Sequence, residues 1–252
     1  MLEVLILSAI QGITEFLPIS STGHTILISK IFNISVSSLL LNISLHIGSF
    51  LAVSVYYFKD IIIIFKDKKK FLILSVAVLP VLLLGFLMSE TGYINKFRNI
   101  EIIGWTTILF GLMLFISDKK NNEKSYENDF SIKSALIVGL IHSLAIIPGV
   151  SRSGIAITAC RFLSFKREDS VKISFIISIP TLFILSFYGI YNLSKEDEVY
   201  IKSINMISIL LSFIFSYITI KLFIKFIKKF DLSFFVIYRV LIGSLILIYA
   251  YF

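Results

Sequence analysis

Two stretches, Phe71–Met88 and Ile204–Ile220, are predominantly apolar and approach the about 20 residues that a helix needs to cross a bilayer. A soluble domain breaks its apolar residues into short periodic groups. Here such runs recur along the whole chain, and 57% of the residues are hydrophobic. The fold class expected is all-α integral membrane. Spans are expected at about 42–58, 71–90, 100–117, 170–191, 203–221 and 233–251. Two other apolar segments end too soon. Residues 2–16 form a helix, Pro18 to Gly23 a loop, and His24 to Phe32 a short return that cannot span. Residues 131–147, 148–154 and 155–164 repeat that plan. The chain is therefore expected to hold six transmembrane helices plus two re-entrant helix–loop–helix hairpins, 1–32 and 131–164.

The polar stretch from Asp118 to Asp129 separates two halves, 1–117 and 131–252, within one membrane domain covering 1–252. Each half reads as a hairpin plus three spans. An odd number of spans turns the second half over, which makes an inverted-topology repeat. Loop charges orient it. Residues 59–70, 118–133, 161–172 and 221–229 carry 17 Lys and Arg, whereas 33–41, 91–99 and 192–202 carry 4. The basic side marks the cytoplasm. Both termini are then expected outside, with the first hairpin entering from outside and the second from inside.

The net charge of +8 resides mainly in these loops, which suits a membrane surface. Nucleic acid is not an expected partner, since no basic helix interleaves with exposed aromatics. The single Cys160 excludes an internal disulfide and reads as a small apolar filler. The N-terminal stretch lacks the basic region and cleavage site of a signal peptide, so targeting is expected to rest on the membrane segments.

Against this background the two hairpin tips are anomalous. Gln11-Gly-Ile-Thr-Glu15-Phe-Leu-Pro-Ile-Ser-Ser-Thr-Gly23-His24 and Pro148-Gly-Val-Ser-Arg-Ser-Gly154 gather Ser, Gly, Pro and charge inside apolar sequence. A buried carboxylate or guanidinium is expensive in hydrocarbon unless it faces a polar cavity or an opposite charge. Broken segments at matching places in two halves point to a midplane site. Gln11 and Glu15, four residues apart, share one helix face. Glu15 is the strongest functional candidate; its bland alternative is a snorkelling or interhelical acid. Ser20, Ser21 and Thr22 are N-cap candidates as well as nucleophile or phosphate ligands. Gly23 lets an anion approach a helix N-terminus. His24 is a candidate base, acid or nucleophile, against the alternative of a hydrogen-bonded core residue. Ser151, Arg152, Ser153 and Gly154 repeat the anion cradle with a fixed positive charge. Arg152 paired only with Glu15 is its bland reading. His46 and His142 read as interhelical hydrogen-bonding residues, and Tyr238-Arg239 as an interface anchor. No HExxH, GxSxG or Walker-type loop is present.

Gln11-x-x-x-Glu15-Phe-Leu-Pro-x-Ser-Ser-Thr-Gly-His24 and Pro148-Gly-x-Ser151-Arg152-Ser153-Gly154 resemble the two signature motifs of the undecaprenyl-diphosphate phosphatases, the bacitracin-resistance type of bacterial membrane phosphatase. Leu45-His46-Ile-Gly48-Ser-x-Leu-Ala52, Pro80-x-x-x-x-Gly85 and Tyr238-Arg239 fall at other positions marked in that family. The resemblance covers the whole chain. Gln11 stands where the family often has Glu, Ile155-Ala156 where it has Ala-Thr, and His142 where Gln is common; Thr158 is the candidate for the missing hydroxyl. The resemblance implies hydrolysis of undecaprenyl diphosphate, a long-chain prenyl diphosphate lipid, to undecaprenyl phosphate and inorganic phosphate. It also implies a multi-pass protein of the bacterial inner membrane, a site open to the outer face, homodimers, and help from Mg²⁺ or Ca²⁺. Glu15 alone is the expected metal ligand, since Mg²⁺ commonly takes one or two carboxylates plus substrate phosphates.

On this reading Glu15, Ser21, His24 and Arg152 form the catalytic set. Ser21 is the nucleophile and Glu15 or His24 the base; a phosphorylated His24 or direct attack by water are the alternatives. Gln11, Ser20, Thr22, Gly23, Ser151, Ser153, Gly154 and Thr158 bind substrate. The rival function is a polyprenyl-phosphate transporter or flippase, with Glu15 and His24 coupling protons and Arg152 binding the headgroup.

Overall fold

The structure is a computed structural model, and it describes residues 2–31, 39–92, 96–97, 99–120, 123–195 and 199–252, with the side chains at 22, 26, 29–31, 39 and 200 left out. Among the described residues the chain is helical, with one isolated bridge between Lys124 and Phe165.

The first hairpin is α1 (Leu2–Thr14) and α2 (Ser21–Ile31). At about 1.5 Å per residue α1 covers about 20 Å, short of the about 30 Å hydrocarbon core. α3 (Leu39–Tyr56) ends at Tyr57, where the chain bends by 74° into α4 (Phe58–Lys66). α5 (Lys68–Glu90) follows, with Asp67 capping it by accepting from the Lys69 and Lys70 amides. α6 (Ile100–Asp118) starts at Asn99, whose side chain accepts from the Glu101 amide.

In the second half, α7 (Tyr126–Asp129) is one short turn. α8 (Ile132–His142) runs into a 3-10 turn, Ser143–Ile146, and α9 (Arg152–Phe162) returns. α10 (Arg167–Ser194), α11 (Val199–Ile227) and α12 (Ser233–Tyr251) complete the chain.

Among the described residues, five helices are each long and apolar enough to cross a membrane, and six if α3 and α4 count as one span. Trp105, Phe187 and Leu241 lie more than half exposed on these helices, which suits contact with lipid. One expectation needs correcting. Residues 59–70 are mostly helix, not loop: Lys59, Asp60 and Lys66 obscure an amphipathic turn whose Ile64 is buried.

Small residues hold the helices close. α3 packs on α11, where a Cβ on Gly48 would lie 2.7 Å from Cβ of Ser212. Ser49 bonds both Ser212 (3.3 Å) and Ser216 (3.0 Å) across the same contact. α12 packs on α6, α1 on α11, α8 on α5, and α3 on α10. α9 is the centre of the bundle, between α6, α8 and α10, and its residues from Ser153 to Arg161 are all buried. Phe16, Tyr57, Phe175 and Phe223 form part of an aromatic core layer beside it.

Candidate functional site: two capped loops and a carboxylate

Glu15 follows α1 by one residue, and its amide still donates to the Gln11 carbonyl at 3.0 Å. The Gln11 side chain thus lies one turn below. Its Nε2 donates to Glu15 Oε2 at 2.9 Å. Pro18 cannot continue a helix from this turn, and the chain reverses at Ser20. Ser21, the first residue of α2, donates its hydroxyl to the same Oε2 at 2.7 Å. Two donors therefore hold one carboxylate oxygen of the buried Glu15.

The second loop is built the same way. Ser20 and Ser151 have φ of 72° and 71°, a region that side-chain-bearing residues rarely adopt. Each Oγ accepts from the amide of the glycine three residues on: Gly23 at 3.4 Å and Gly154 at 3.1 Å. Ser20 and Ser151 are thus the caps, which leaves Ser21 and Arg152 as the first helical residues facing forward. Both helices start earlier than the sequence suggests, because the caps lie in the serine runs. Gly149, at φ +91°, packs against α6 where a Cβ would meet the Ile103 carbonyl at 2.6 Å.

The two loops are tied together. Ser153 donates to the Leu17 carbonyl at 2.8 Å. Arg152 Nη1 lies 3.6 Å from Glu15 Oε1. Beneath them sits Arg239, fully buried on α12. It donates to the carbonyls of Thr107 (3.0 Å), Pro18 (3.3 Å), Gly149 (3.0 Å) and Val150 (3.0 Å). Pro18 belongs to the first loop, Gly149 and Val150 to the second. Arg239 is therefore no interface anchor. Its forked guanidinium suits several carbonyls at once, and it adds positive charge under both tips.

His24 is turned away from Glu15. Its Nδ1 stands 2.7 Å from the Ser20 carbonyl, which only accepts, so Nδ1 carries a proton. Its Nε2 bonds the Tyr238 hydroxyl at 2.7 Å. His46 does reach the carboxylate. Gln11 Nε2 lies 2.9 Å from His46 Nδ1, and an amide nitrogen only donates, so Nδ1 is an acceptor. The 3.7 Å approach of His46 to Glu15 is then a contact between a neutral ring and a carboxylate. His142 is buried with no hydrogen-bond partner for either nitrogen among the described residues, contrary to the interhelical bond expected of it.

Glu15, Ser20, Ser21, Gly149, Ser151 and Arg152 line a cavity of about 150 Å³. Gln11, Gly23, Ser153 and Gly154 support it from behind through the bonds above. Thr158 departs from expectation: its hydroxyl donates to the Gly154 carbonyl one turn back, at 2.8 Å. The Thr22 side chain lies outside the described residues. Among the described residues no three His, Cys, Asp or Glu side chains gather as a metal cluster. Glu15 Oε1 has no hydrogen-bond donor among them, which leaves it open to a cation bound by one carboxylate.

Residue reasoning missed His46, Tyr238 and Arg239 as parts of the site; the marked positions of the resembled family were the signal for all three. The arrangement offers a serine hydroxyl hydrogen-bonded to a carboxylate, two helix N-termini and a guanidinium at one small cavity. That is equipment for a tetrahedral anion.

Comparison with known proteins gives the same direction. Residues 4–245 match the family described as bacitracin resistance protein BacA. The chain is 40% identical to an undecaprenyl-diphosphatase of Pelagibacter ubique, over 99% of this chain and 98% of that one. It is 37% identical to one of Campylobacter curvus, over 97% of each chain. It is 32% identical to one of Jannaschia sp., over 98% and 97%.

Proposed function

The chain belongs to the bacitracin resistance protein BacA family, and from that premise we propose that it hydrolyses undecaprenyl diphosphate to undecaprenyl phosphate and inorganic phosphate. The activity is that of an integral membrane phosphatase acting on a phosphoric anhydride. The observation that carries this reading is the meeting of Ser21, Glu15 and Arg152 at one cavity between two helix starts.

Phosphoryl transfer needs charge neutralisation and an in-line nucleophile. Ser21 Oγ attacks the terminal phosphorus while Glu15 Oε2, 2.7 Å away, takes its proton. The new bond is Oγ–P; the bond that breaks joins that phosphorus to the bridging oxygen, and undecaprenyl phosphate leaves. Water then opens the phosphoserine, restoring the hydroxyl and releasing inorganic phosphate. Arg152 and the first amides of α2 and α9 neutralise the oxygens in transit. Of the two candidate bases, only Glu15 touches Ser21; His24 is held on Ser20 and Tyr238. Attack by a Glu15-bound water is the alternative the same geometry accommodates. Glu15 Oε1 would hold Mg²⁺ or Ca²⁺, which would share the neutralisation of the phosphate charge.

The same proposal includes a bacterial inner-membrane location with both termini outside, re-entrant hairpins and inverted repeats. The lengths of α1, α2, α8 and α9 support the hairpins. The matched Ser20 and Ser151 caps support the repeat, as does reciprocal packing, with α1 on α11 and α8 on α5. A homodimer rests on the resemblance alone, and a mass measurement in detergent tests it.

The test of function is phosphate release from undecaprenyl diphosphate by purified protein in detergent micelles, where there is no bilayer to flip across. Release that vanishes in Glu15→Gln supports the phosphatase. A folded wild-type protein that binds the lipid and releases no phosphate favours a transporter.

A further inference from the structure

A second cavity, of about 910 Å³, lies at the opposite end of α9. Arg152 opens that helix at the loop site, and Arg161, on its last turn, faces the larger cavity. Nine residues of rise separate them by about 14 Å. An aromatic layer divides the two. Tyr57 lines the large cavity and packs on Phe175 at 6.2 Å, and Phe175 packs on Phe16 at 5.2 Å, next to Glu15.

Seven basic and three acidic side chains line the large cavity. A cytoplasmic excess of lysine follows from topology alone, and that accounts for the sign of the charge. It does not account for the convergence. One oxygen of the buried Asp118 accepts from Arg167 Nε at 2.8 Å and lies 3.0 Å from Arg161 Nε as an ion pair, and the other accepts from the Leu232 amide at 3.0 Å. Two guanidiniums thus share one carboxylate. Arg161 is locked by the carbonyls of Phe165 and Asp118, at 3.0 and 2.8 Å. Lys172 and Lys228 have carboxylate partners. Lys119 and Lys120 lie over the rings of Phe115 and Phe162, and neither these two nor Lys166 has an ion-pair partner among the described residues. The 28-residue α10 begins at this wall, and Glu168 and Asp169 of its first turn already face its dipole, with Asp169 accepting from the Tyr126 amide and Glu168 beside Lys228, so the anion-binding groups are the basic side chains.

We propose that this cavity is a second anion site, built for a phosphate group and distinct from the catalytic loops. Its ligand is either inorganic phosphate or a phosphomonoester headgroup reaching in from the lipid; the two share the tetrahedral dianion that the outer nitrogens of Arg167 and the lysines without ion-pair partners recognise. The volume exceeds that of a bare phosphate, so it admits the ester as well. The proposal does not rest on the phosphatase reading.

The test uses full-length protein carrying Glu15→Gln and Arg152→Ala, which disables the loop site. Inorganic phosphate is titrated calorimetrically in detergent. The same protein in nanodiscs is compared with phosphatidic acid and with phosphatidylcholine as added lipid. Saturable binding that falls at least tenfold when Lys119→Gln, Lys120→Gln and Lys166→Gln are added supports the site. Binding of free phosphate identifies a soluble ligand; binding of phosphatidic acid alone identifies a headgroup. A control triple, Lys66→Gln, Lys68→Gln and Lys133→Gln, removes equal charge from the same face outside the cavity and is expected to leave binding unchanged. Equal loss in both triples, no loss in either, or no saturable binding of either probe overturns the site. Thermal unfolding checks that each variant is folded, and phosphate release by the cavity triple in the otherwise wild-type chain is expected to stay near normal.

Discussion

Arg152 Nη1 and Glu15 Oε1 face each other at 3.6 Å, although they belong to loops in opposite halves of the chain. The distance is too long for a strong direct hydrogen bond, so the guanidinium keeps its donors for a phosphate oxygen beside the carboxylate. Arg152→Lys keeps the charge and loses the planar fork. A fall of about 10²–10³ in turnover is expected for Lys, as for loss of a preorganised donor, and a similar or larger one for Ala. Phosphate release by protein of wild-type melting behaviour measures it. Near wild-type rates in both variants would remove Arg152 from the chemistry.

Glu15→Gln is expected to fold and to lose most of its activity, because the amide keeps the shape of the cluster and cannot take the Ser21 proton. Ser21→Ala is expected to lose as much activity, with about 1.5–3 kcal/mol of stability, since one hydrogen bond to the carboxylate goes. Ser21→Ala protein that retains normal turnover would move the nucleophile to water.

Gln11→Glu places a second carboxylate one turn from Glu15. It is expected to fold and to depend more steeply on Mg²⁺, because two acids attract a divalent cation more than one. The readout is phosphate release across a Mg²⁺ titration after chelation, beside the wild type. An unchanged Mg²⁺ dependence would argue against a cation at Glu15.

Arg239→Lys retains a buried charge with three donors in place of a rigid fork, so it cannot reach both loops and α6 together. It is expected to lower kcat at least about tenfold, in line with loss of a positioning group, and to lower the unfolding temperature. Arg239→Ala leaves several buried carbonyls unpaired, each worth about 1–3 kcal/mol, and is expected to fail to accumulate. A Lys variant that is less stable yet fully active would make Arg239 structural only.

His142 is the opposite case, a buried imidazole with no hydrogen-bond partner among the described residues. Such a group costs about 1–3 kcal/mol of desolvation. His142→Leu is therefore expected to match or exceed wild-type stability. Loss of activity without loss of stability would show that His142 serves the site.

The class of fold was legible in the apolar runs, since length and composition alone decide whether a helix can live in lipid. The two polar tips were legible for the same reason: Glu15 and Arg152 violate the rule of an apolar segment, and a violation needs a cause. The kink at Tyr57 was not. Lys59 and Lys66 signalled a surface loop, and only the burial of Ile64 shows why the chain stays helical.

Within the site, sequence fixed identities and near neighbours: Gln11 sits one helical turn from Glu15, and serine precedes glycine at both helix starts. It could not choose among the serines. The positive φ of Ser20 and Ser151 makes them the caps and turns Ser21 and Arg152 forward. Nor could it orient His24, whose partner Tyr238 is 214 positions away, or find Arg239 under both loops. Local spacing records which side chains share a turn of helix. Which side chains share a cavity is decided by how close small residues let the helices approach, and that depends on the packed structure.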